Sequence, residues 1–325
     1  MPRNMDSSDS LRAEPKTWSS RSVGGSLQHR IFYRLIRFGG RKAAYGLLFF
    51  VALYYTLFRP SISRKADPYL ERRFKGAGFF KKRLNRFRIY VNFGKGLVDK
   101  AVVGILGPEE IRVSFDDQEE LLHLVRGGKG LIILTAHVGC WQAAMAVLHF
   151  LERPVSLLLH REEGDVDLQY YEHQGGPPPF RIIDPRGYLG GVLEMWEVLK
   201  KGEVLCIMGD RVLGEEKNTV PVRFLGDWVR LPISPFKLAG AAGVPIAVLF
   251  SCKKGADGYR LFLERVIRVP EERGRGNSAF IPYAEAFAQA LERYVREYPY
   301  EFYNFYDLWA EAQTEKATPG RKVDS

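Results

Sequence analysis

From Arg112 onward the chain alternates short apolar runs with amphipathic stretches, a pattern that few architectures accept. Residues 131–136 (LIILTA), 154–160 (PVSLLLH), 204–208 (VLCIM) and 244–251 (VPIAVLFS) are dominated by apolar side chains, with no polar–apolar alternation. Strands covered on both faces read this way. Residues 139–151, 188–201, 234–242 and 281–297 carry helical spacing instead. Residues 259–269 alternate, with Leu261, Leu263, Arg265 and Ile267 on one face. Strand and helix in turn predict an α/β fold with a central, mostly parallel sheet flanked by helices. A chain of 325 residues, 46% hydrophobic, can fill one substantial core or two small ones. No internal repeat is visible.

The formal net charge of +10 is unevenly placed. Residues 1–100 hold 22 Lys/Arg against 6 Asp/Glu, and the rest hold 26 against 32. A basic segment suits nucleic acid or anionic lipid. Here the basic residues flank an uncharged run, residues 43–58 (AAYGLLFFVALYYTLF), which favours lipid. Arg37, Arg41 and Lys42 precede it, and Arg59, Arg64 and Lys65 follow. Sixteen helical residues reach about 24 Å, short of the ~30 Å hydrocarbon core, and snorkelling Arg and Lys extend that reach. Tyr45, Tyr54 and Tyr55 suit an interfacial belt. The run reads as a membrane-anchoring helix, either spanning or lying deep in one leaflet; the alternative is a buried core helix. It starts too far from Met1 for a cleaved signal peptide. Residues 65–100 continue in a basic, aromatic and helical pattern suited to an anionic membrane surface, or equally to a helix that packs on the domain and exposes a basic face; the two are compatible.

The expected organisation is a disordered polar N-terminus (1–30), an anchor helix (31–60), a basic membrane-surface region (61–112), the main domain (113–311) and a flexible tail (312–325). Three cysteines, Cys140, Cys206 and Cys252, lie in apolar surroundings. An odd number in core-like positions argues for a reducing compartment.

The chemistry concentrates at LIILTAHVGCWQAA. A buried strand ends, His137 follows at once, and Gly139 opens a turn into a helix. Ligands gather at the carboxyl ends of strands in such sheets, and a His there can take a proton from a hydroxyl. Gly139 permits a sharp turn or a close backbone approach. Asp210 also follows a buried strand, so the sheet can bring it beside His137. His160 ends a third. Cys140 invites an acyl-thioester route, but burial is the commoner fate of cysteine. Arg211, Lys217, Arg223 and Arg230 crowd one segment and are candidates for holding phosphate. Pro177-Pro178-Pro179 marks a loop. No cluster has metal spacing.

His137-Val138-Gly139-Cys140-Trp141-Gln142 resembles the His-x-x-x-x-acid block of the lysophospholipid acyltransferase superfamily, and most closely that of the lipid A biosynthesis (late lauroyl/myristoyl) acyltransferase family. Leu199-Lys200-Lys201-Gly202-Glu203, Met208-Gly209-Asp210-Arg211, Val222-Arg223-Phe224-Leu225-Gly226, Gly243-Val244-Pro245 and Tyr303-Asn304-Phe305-Tyr306-Asp307-Leu308-Trp309 resemble its later segments in order. The resemblance runs from about Leu131 to Trp309. It implies transfer of a fatty acyl chain from an acyl carrier protein or CoA thioester to a hydroxyl of a glycolipid or lysolipid acceptor at the bacterial inner membrane, with the catalytic domain on the cytoplasmic face. The thioester is a co-substrate and no cofactor is implied.

The resemblance makes His137 the base, with Trp141, Gly139, Arg161, Arg211 and Arg223 toward substrate. The family's acid position is Gln142 here, a catalytic candidate that can accept an N–H from the imidazole but cannot ionise. Loss of the equivalent charge in a serine-protease triad costs about four decades in rate. Asp210 is therefore expected to orient His137. Backbone N–H groups after the strand are expected to hold the oxyanion. The acceptor stays open among lipid A precursors, ornithine lipids, polyene lipids and other glycolipids. A catalytically weak lipid-binding homologue and a thioesterase are the other readings. Nucleic-acid binding rests on net charge alone and leaves the apolar run unexplained.

Overall fold

A computed structural model of the protein describes residues 26–140, 148–160, 180–212, 218–271 and 276–310. The chain opens with a 33-residue helix, α1 (Ser26–Phe58), bent at Gly40, whose φ of 66° only glycine adopts without strain. Short helices α2 (Pro60–Ser63) and α3 (Asp67–Arg73) turn the chain into α4 (Phe79–Leu106). There follow β1 (Arg112–Phe115), α5 (Gln118–Arg126), β2 (Leu131–Thr135), β3 (Val155–Leu158), β4 (Arg181–Ile183), α6 (Val192–Lys200) and β5 (Val204–Met208). The chain continues through β6 (Thr219–Phe224), β7 (Asp227–Pro232), α7 (Ser234–Ala242), β8 (Ile246–Lys254), β9 (Gly258–Ile267) and α8 (Ile281–Glu297).

Among the described residues, seven strands form one sheet in the order β1-β9-β8-β2-β5-β3-β4, parallel at every pairing except β8 with β9. The uninterrupted apolar runs have a direct cause. Ile132 and Leu134 of β2, Leu205 and Ile207 of β5, and Ile246, Val248 and Phe250 of β8 enter one core. Their alternates, Leu131, Ile133, Val204, Cys206, Ala247 and Leu249, enter a second core on the opposite face. Helix α8 covers the first face with Ala284, Phe287, Ala288, Leu291 and Val295, while α5 covers the second with Leu121, Leu124 and Val125.

The expected strands and helices fall where the periodicity put them, with ends shifted by a few residues. The expected helix at 139–151 lies largely outside the described residues, and residues 148–151 are a short 3-10 turn. The basic segment after β5 holds a feature the sequence reading missed: Thr219–Phe224 and Asp227–Pro232 pair as an antiparallel hairpin. Val220, Val222, Phe224, Val229 and Leu231 bury one face of it, and the period-two pattern there was masked by interleaved arginines.

Helices α1 and α4 pack through Ile36, Ala44, Leu48, Val98 and Val102. Their outer surface exposes Phe49, Phe50, Tyr54, Leu57, Phe58, Phe79, Phe80 and Leu84. No single helix among the described residues is long and apolar enough to cross a membrane, whereas the bent pair of residues 30–58 and 60–73, at 97°, has the length and composition to do so.

Gly130, at the entrance to β2, faces backbone: an added Cβ would lie 2.6 Å from the Leu199 carbonyl oxygen and 3.0 Å from that of Glu203. Gly130→Ala is expected to destabilise the fold by about 1–3 kcal/mol, read as a lowered melting temperature, with activity per folded molecule retained. An unchanged melting temperature would show that the two backbones can part at no cost.

Candidate active site

The register of β2 against β5 sets Thr135 opposite Met208. Just beyond, the Gly209 N–H donates to the Thr135 carbonyl at 2.8 Å, so the two chains stay side by side past the ends of the strands. Gly209 fits because a Cβ there would lie 2.7 Å from Leu134 Cδ1. One residue further on β5 comes Asp210, and two residues beyond Thr135 comes His137. His137 Nδ1 lies 2.8 Å from Asp210 Oδ1 and 3.1 Å from Oδ2. The carboxylate is fully buried and the imidazole keeps 23% of its surface open. With Nδ1–H donating to Asp210, the basic lone pair sits on Nε2.

Burial is the largest influence on His137 and lowers its pKa from the ordinary 6.5; the Arg211 cation lowers it further, against the opposing pull of Asp210. Burial raises Asp210, but the His137 ring, the Arg211 charge and a main-chain bond from His137 outweigh it, and its pKa lies below the ordinary value. The site at neutral pH is therefore a neutral imidazole beside an ionised carboxylate.

The loop that carries His137 is clamped by residues far along the chain. The Tyr303 N–H donates to the His137 carbonyl at 2.7 Å, and the Gly139 N–H donates to the Glu301 carbonyl at 3.0 Å. Val138 bridges Phe302 in antiparallel fashion. The Cys140 N–H donates to Ser251 Oγ at 3.1 Å. Strand β8 runs well past the end of β2 and lies under this loop. A Cβ on Gly139, whose φ is 56°, would fall 1.9 Å from the Ser251 carbonyl oxygen. Glycine is thus required by approach to the protein's own strand. The expectation that N–H groups after β2 hold an oxyanion fails for residues 138–140. The Val138 N–H turns back to the Ala136 carbonyl at 2.7 Å, and the other two are bonded as above.

Arg211 is buried. It donates to the Tyr303 carbonyl at 3.0 Å and lies over the Tyr306 ring at 5.6 Å, so it holds the closing segment while its charge acts on His137. Arg223 lies on the outer face of the β6–β7 hairpin, donates to the Gly226 carbonyl at 2.9 Å and covers Trp228 at 4.5 Å. His160, after β3 on the same rim, meets the Arg186 guanidinium through Nε2, with Nδ1 at 3.6 Å from Asp184. Cys140 is buried against Val103, Ile111 and Tyr259. Trp141, Gln142, Arg161 and Lys217 lie outside the described residues. Among the described residues no group of three or more His, Cys, Asp or Glu could hold a metal ion. Sequence reasoning missed the role of residues 301–303 as a clamp. Their aromatic, polar-spaced text was visible, but its contact with His137 was not.

A His held neutral in the fold binds its proton more weakly there than in the unfolded chain. Its contribution to stability is therefore complete above pH 6.5 and is lost as pH falls below that value. Asp210, held ionised, adds a second loss only as pH falls below the ordinary carboxylate value of 3.8. The melting temperature of the wild type is expected to fall more steeply between pH 7 and pH 5 than that of His137→Gln. Parallel profiles would remove the depressed His137 pKa.

The model of the family described as bacterial lipid A biosynthesis acyltransferase matches residues 31–311. No curated protein sequence matches. A solved structure, the 1-acyl-sn-glycerophosphate (LPA) acyltransferase PlsC from Thermotoga maritima, is similar at 14% identity over 86% of this chain and 100% of that one, with a TM-score of 0.31. That structural likeness is too slight to bear weight, whereas the family match spans the N-terminal helices, the sheet and the closing segment. The chain therefore belongs to the bacterial lipid A biosynthesis acyltransferase family and is a lipid acyltransferase.

Proposed function

We propose that this enzyme moves a fatty acyl chain from an acyl thioester, carried by acyl carrier protein or CoA, to a hydroxyl of a glycolipid or lipid A-like acceptor, with His137 as general base. The observation that carries the reading is the 2.8 Å bond from His137 Nδ1 to the buried carboxylate of Asp210 at the rim of the sheet. Nε2 takes the proton of the acceptor hydroxyl as its oxygen attacks the thioester carbonyl. The C–S bond then breaks, and the imidazolium returns the proton to the departing thiolate. Asp210 holds the tautomer and stabilises the imidazolium, the work the Gln142 position cannot do by charge. The thioester brings its own activation, so the reading needs no cofactor.

The N-terminal helices supply the place of reaction. Phe50 is 67% exposed, Phe58 69%, Phe79 66% and Phe80 85%, and Arg59, Arg64, Lys65 and Lys81, near them in sequence, are exposed as well. Aromatic side chains ringed by cations suit the anionic interface of a bilayer. That surface supports an enzyme held at a bilayer; its place at the bacterial inner membrane, with the catalytic domain on the cytoplasmic face where acceptor and thioester meet, is proposed from the family resemblance and from three cysteines that suit a reducing compartment. It gives no support to nucleic acid as a partner. Trp141 and Arg161 keep their proposed contact with substrate through the sequence motif, and Arg211 acts as a clamp as well as a charge.

Purified protein given labelled acyl thioester and a bacterial lipid extract is expected to form labelled lipid. His137→Ala should abolish the product, and Asp210→Asn should lower its rate by about two to four decades. Gln142→Ala should cost far less than Asp210→Asn. Full activity in Asp210→Asn together with a dead Gln142→Ala would reverse the assignment of the acid. Free fatty acid as the main product would make the enzyme a thioesterase.

A further inference from the structure

We propose that Asp99 is a positioning residue for acyl transfer, locking the α1–α4 helix pair to β8 and β9 and, through Lys253 and Glu301, setting the loop that carries His137. The proposal rests on the reading of His137 as the base.

Asp99 sits within α4 and is fully buried. A buried carboxylate is costly unless it is paired and hydrogen-bonded. Four side chains from three other elements meet it. Tyr45 of α1 donates through its hydroxyl at 2.5 Å, and Arg41 of α1 lies at 3.4 Å. Tyr259 of β9 donates at 2.6 Å, and Lys253 of β8 binds the same oxygen as Tyr259. The Arg41 guanidinium also reaches the Glu110 carbonyl just beyond α4. One carboxylate thus joins two helices to two strands.

Stability alone is a poor reason for such a hub. Well-packed apolar groups often replace buried ion pairs without loss. What a polar hub supplies is a single geometry. The rest of the α1–α4 contact is apolar, both aliphatic and aromatic, with the Phe49 and Phe87 rings edge to face at 5.2 Å, and such packing tolerates small slides that a multiply bonded carboxylate forbids.

Two short paths lead from the hub to His137. In the first, the Lys253 N–H donates to Glu301 Oε2 at 2.9 Å. The Glu301 carbonyl accepts the Gly139 N–H, and Tyr303 holds the His137 carbonyl. In the second, α4 itself lies against the loop: a Cβ at Gly96 would be 4.0 Å from the Gly139 carbonyl oxygen. Cys140, next along, is buried against Val103 of α4 and Tyr259 of β9. A tilt of α4 therefore displaces the imidazole, and the helices proposed to meet the bilayer are wired to the base.

The test uses full-length protein in detergent and compares wild type, Asp99→Asn, Lys253→Met and His137→Ala. Turnover of labelled acyl thioester with lipid extract, melting temperature and the His137 Nδ1–H proton resonance are measured together. Asp99→Asn and Lys253→Met are each expected to lower kcat by about 10- to 100-fold, with KM for the thioester within about twofold of wild type. Both should also shift the His137 resonance. A lowered melting temperature with kcat per folded molecule and the resonance unchanged would make Asp99 purely structural and end the proposal. If Asp99→Asn does not fold, Lys253→Met decides, because Arg41 still faces Asp99 there. An active His137→Ala would instead end the assignment of the base, and the resonance would still report whether Asp99 sets the ring.

Discussion

Parallel pairing of β2 with β5 in a single register is the constraint from which the site follows. With Thr135 opposite Met208, the two chains leave the sheet together, and His137 meets Asp210 within two residues. Each strand sends alternate side chains into two different cores. A slip of one residue would exchange every side chain between those cores, so the register that packs the interior also aligns the pair. The geometry of the His137–Asp210 pair is thus a by-product of core packing.

Burial then decides the protonation states. Asp210 is fully enclosed, and a lone charge there would be untenable. The His137 ring, a main-chain N–H and the Arg211 cation together keep it ionised. The same burial and the same arginine keep the imidazole neutral. Arg211 also holds the Tyr303 carbonyl, so the segment that clamps the His137 loop and the charge that tunes its ring depend on one side chain.

The N-terminal helices divide their surface by chemistry. Their contact face is apolar and includes the buried carboxylate of Asp99, while their outer face carries exposed phenylalanines. The apolar run at 43–58 is divided between them: Ala44, Leu48 and Phe49 meet α4, and Phe50 and Phe58 face outward.

Much of this was legible in the text of the chain. Unbroken apolar runs announced strands buried on both faces, because such strands have no polar side to show. His137 directly follows such a run and Asp210 follows another after a single glycine, which by itself places both at a sheet rim. The β6–β7 hairpin was hidden because arginines on its outer face disguised the alternation. The N–H groups after β2 looked available for an oxyanion, yet residues 138–140 bond inward to Ala136, Glu301 and Ser251. Gly139 was recognisable as a turn, but its need for glycine comes from Ser251, a residue on another strand. Local sequence thus determined the periodicities, the strand ends and the chemical types at the rim, since these depend on neighbours a few positions away. Only the tertiary structure decided the strand order that joins His137 to Asp210, the clamp by residues 301–303 and the Asp99 hub. Those contacts cross long stretches of chain, and nothing in local spacing encodes which distant partner fills a buried position.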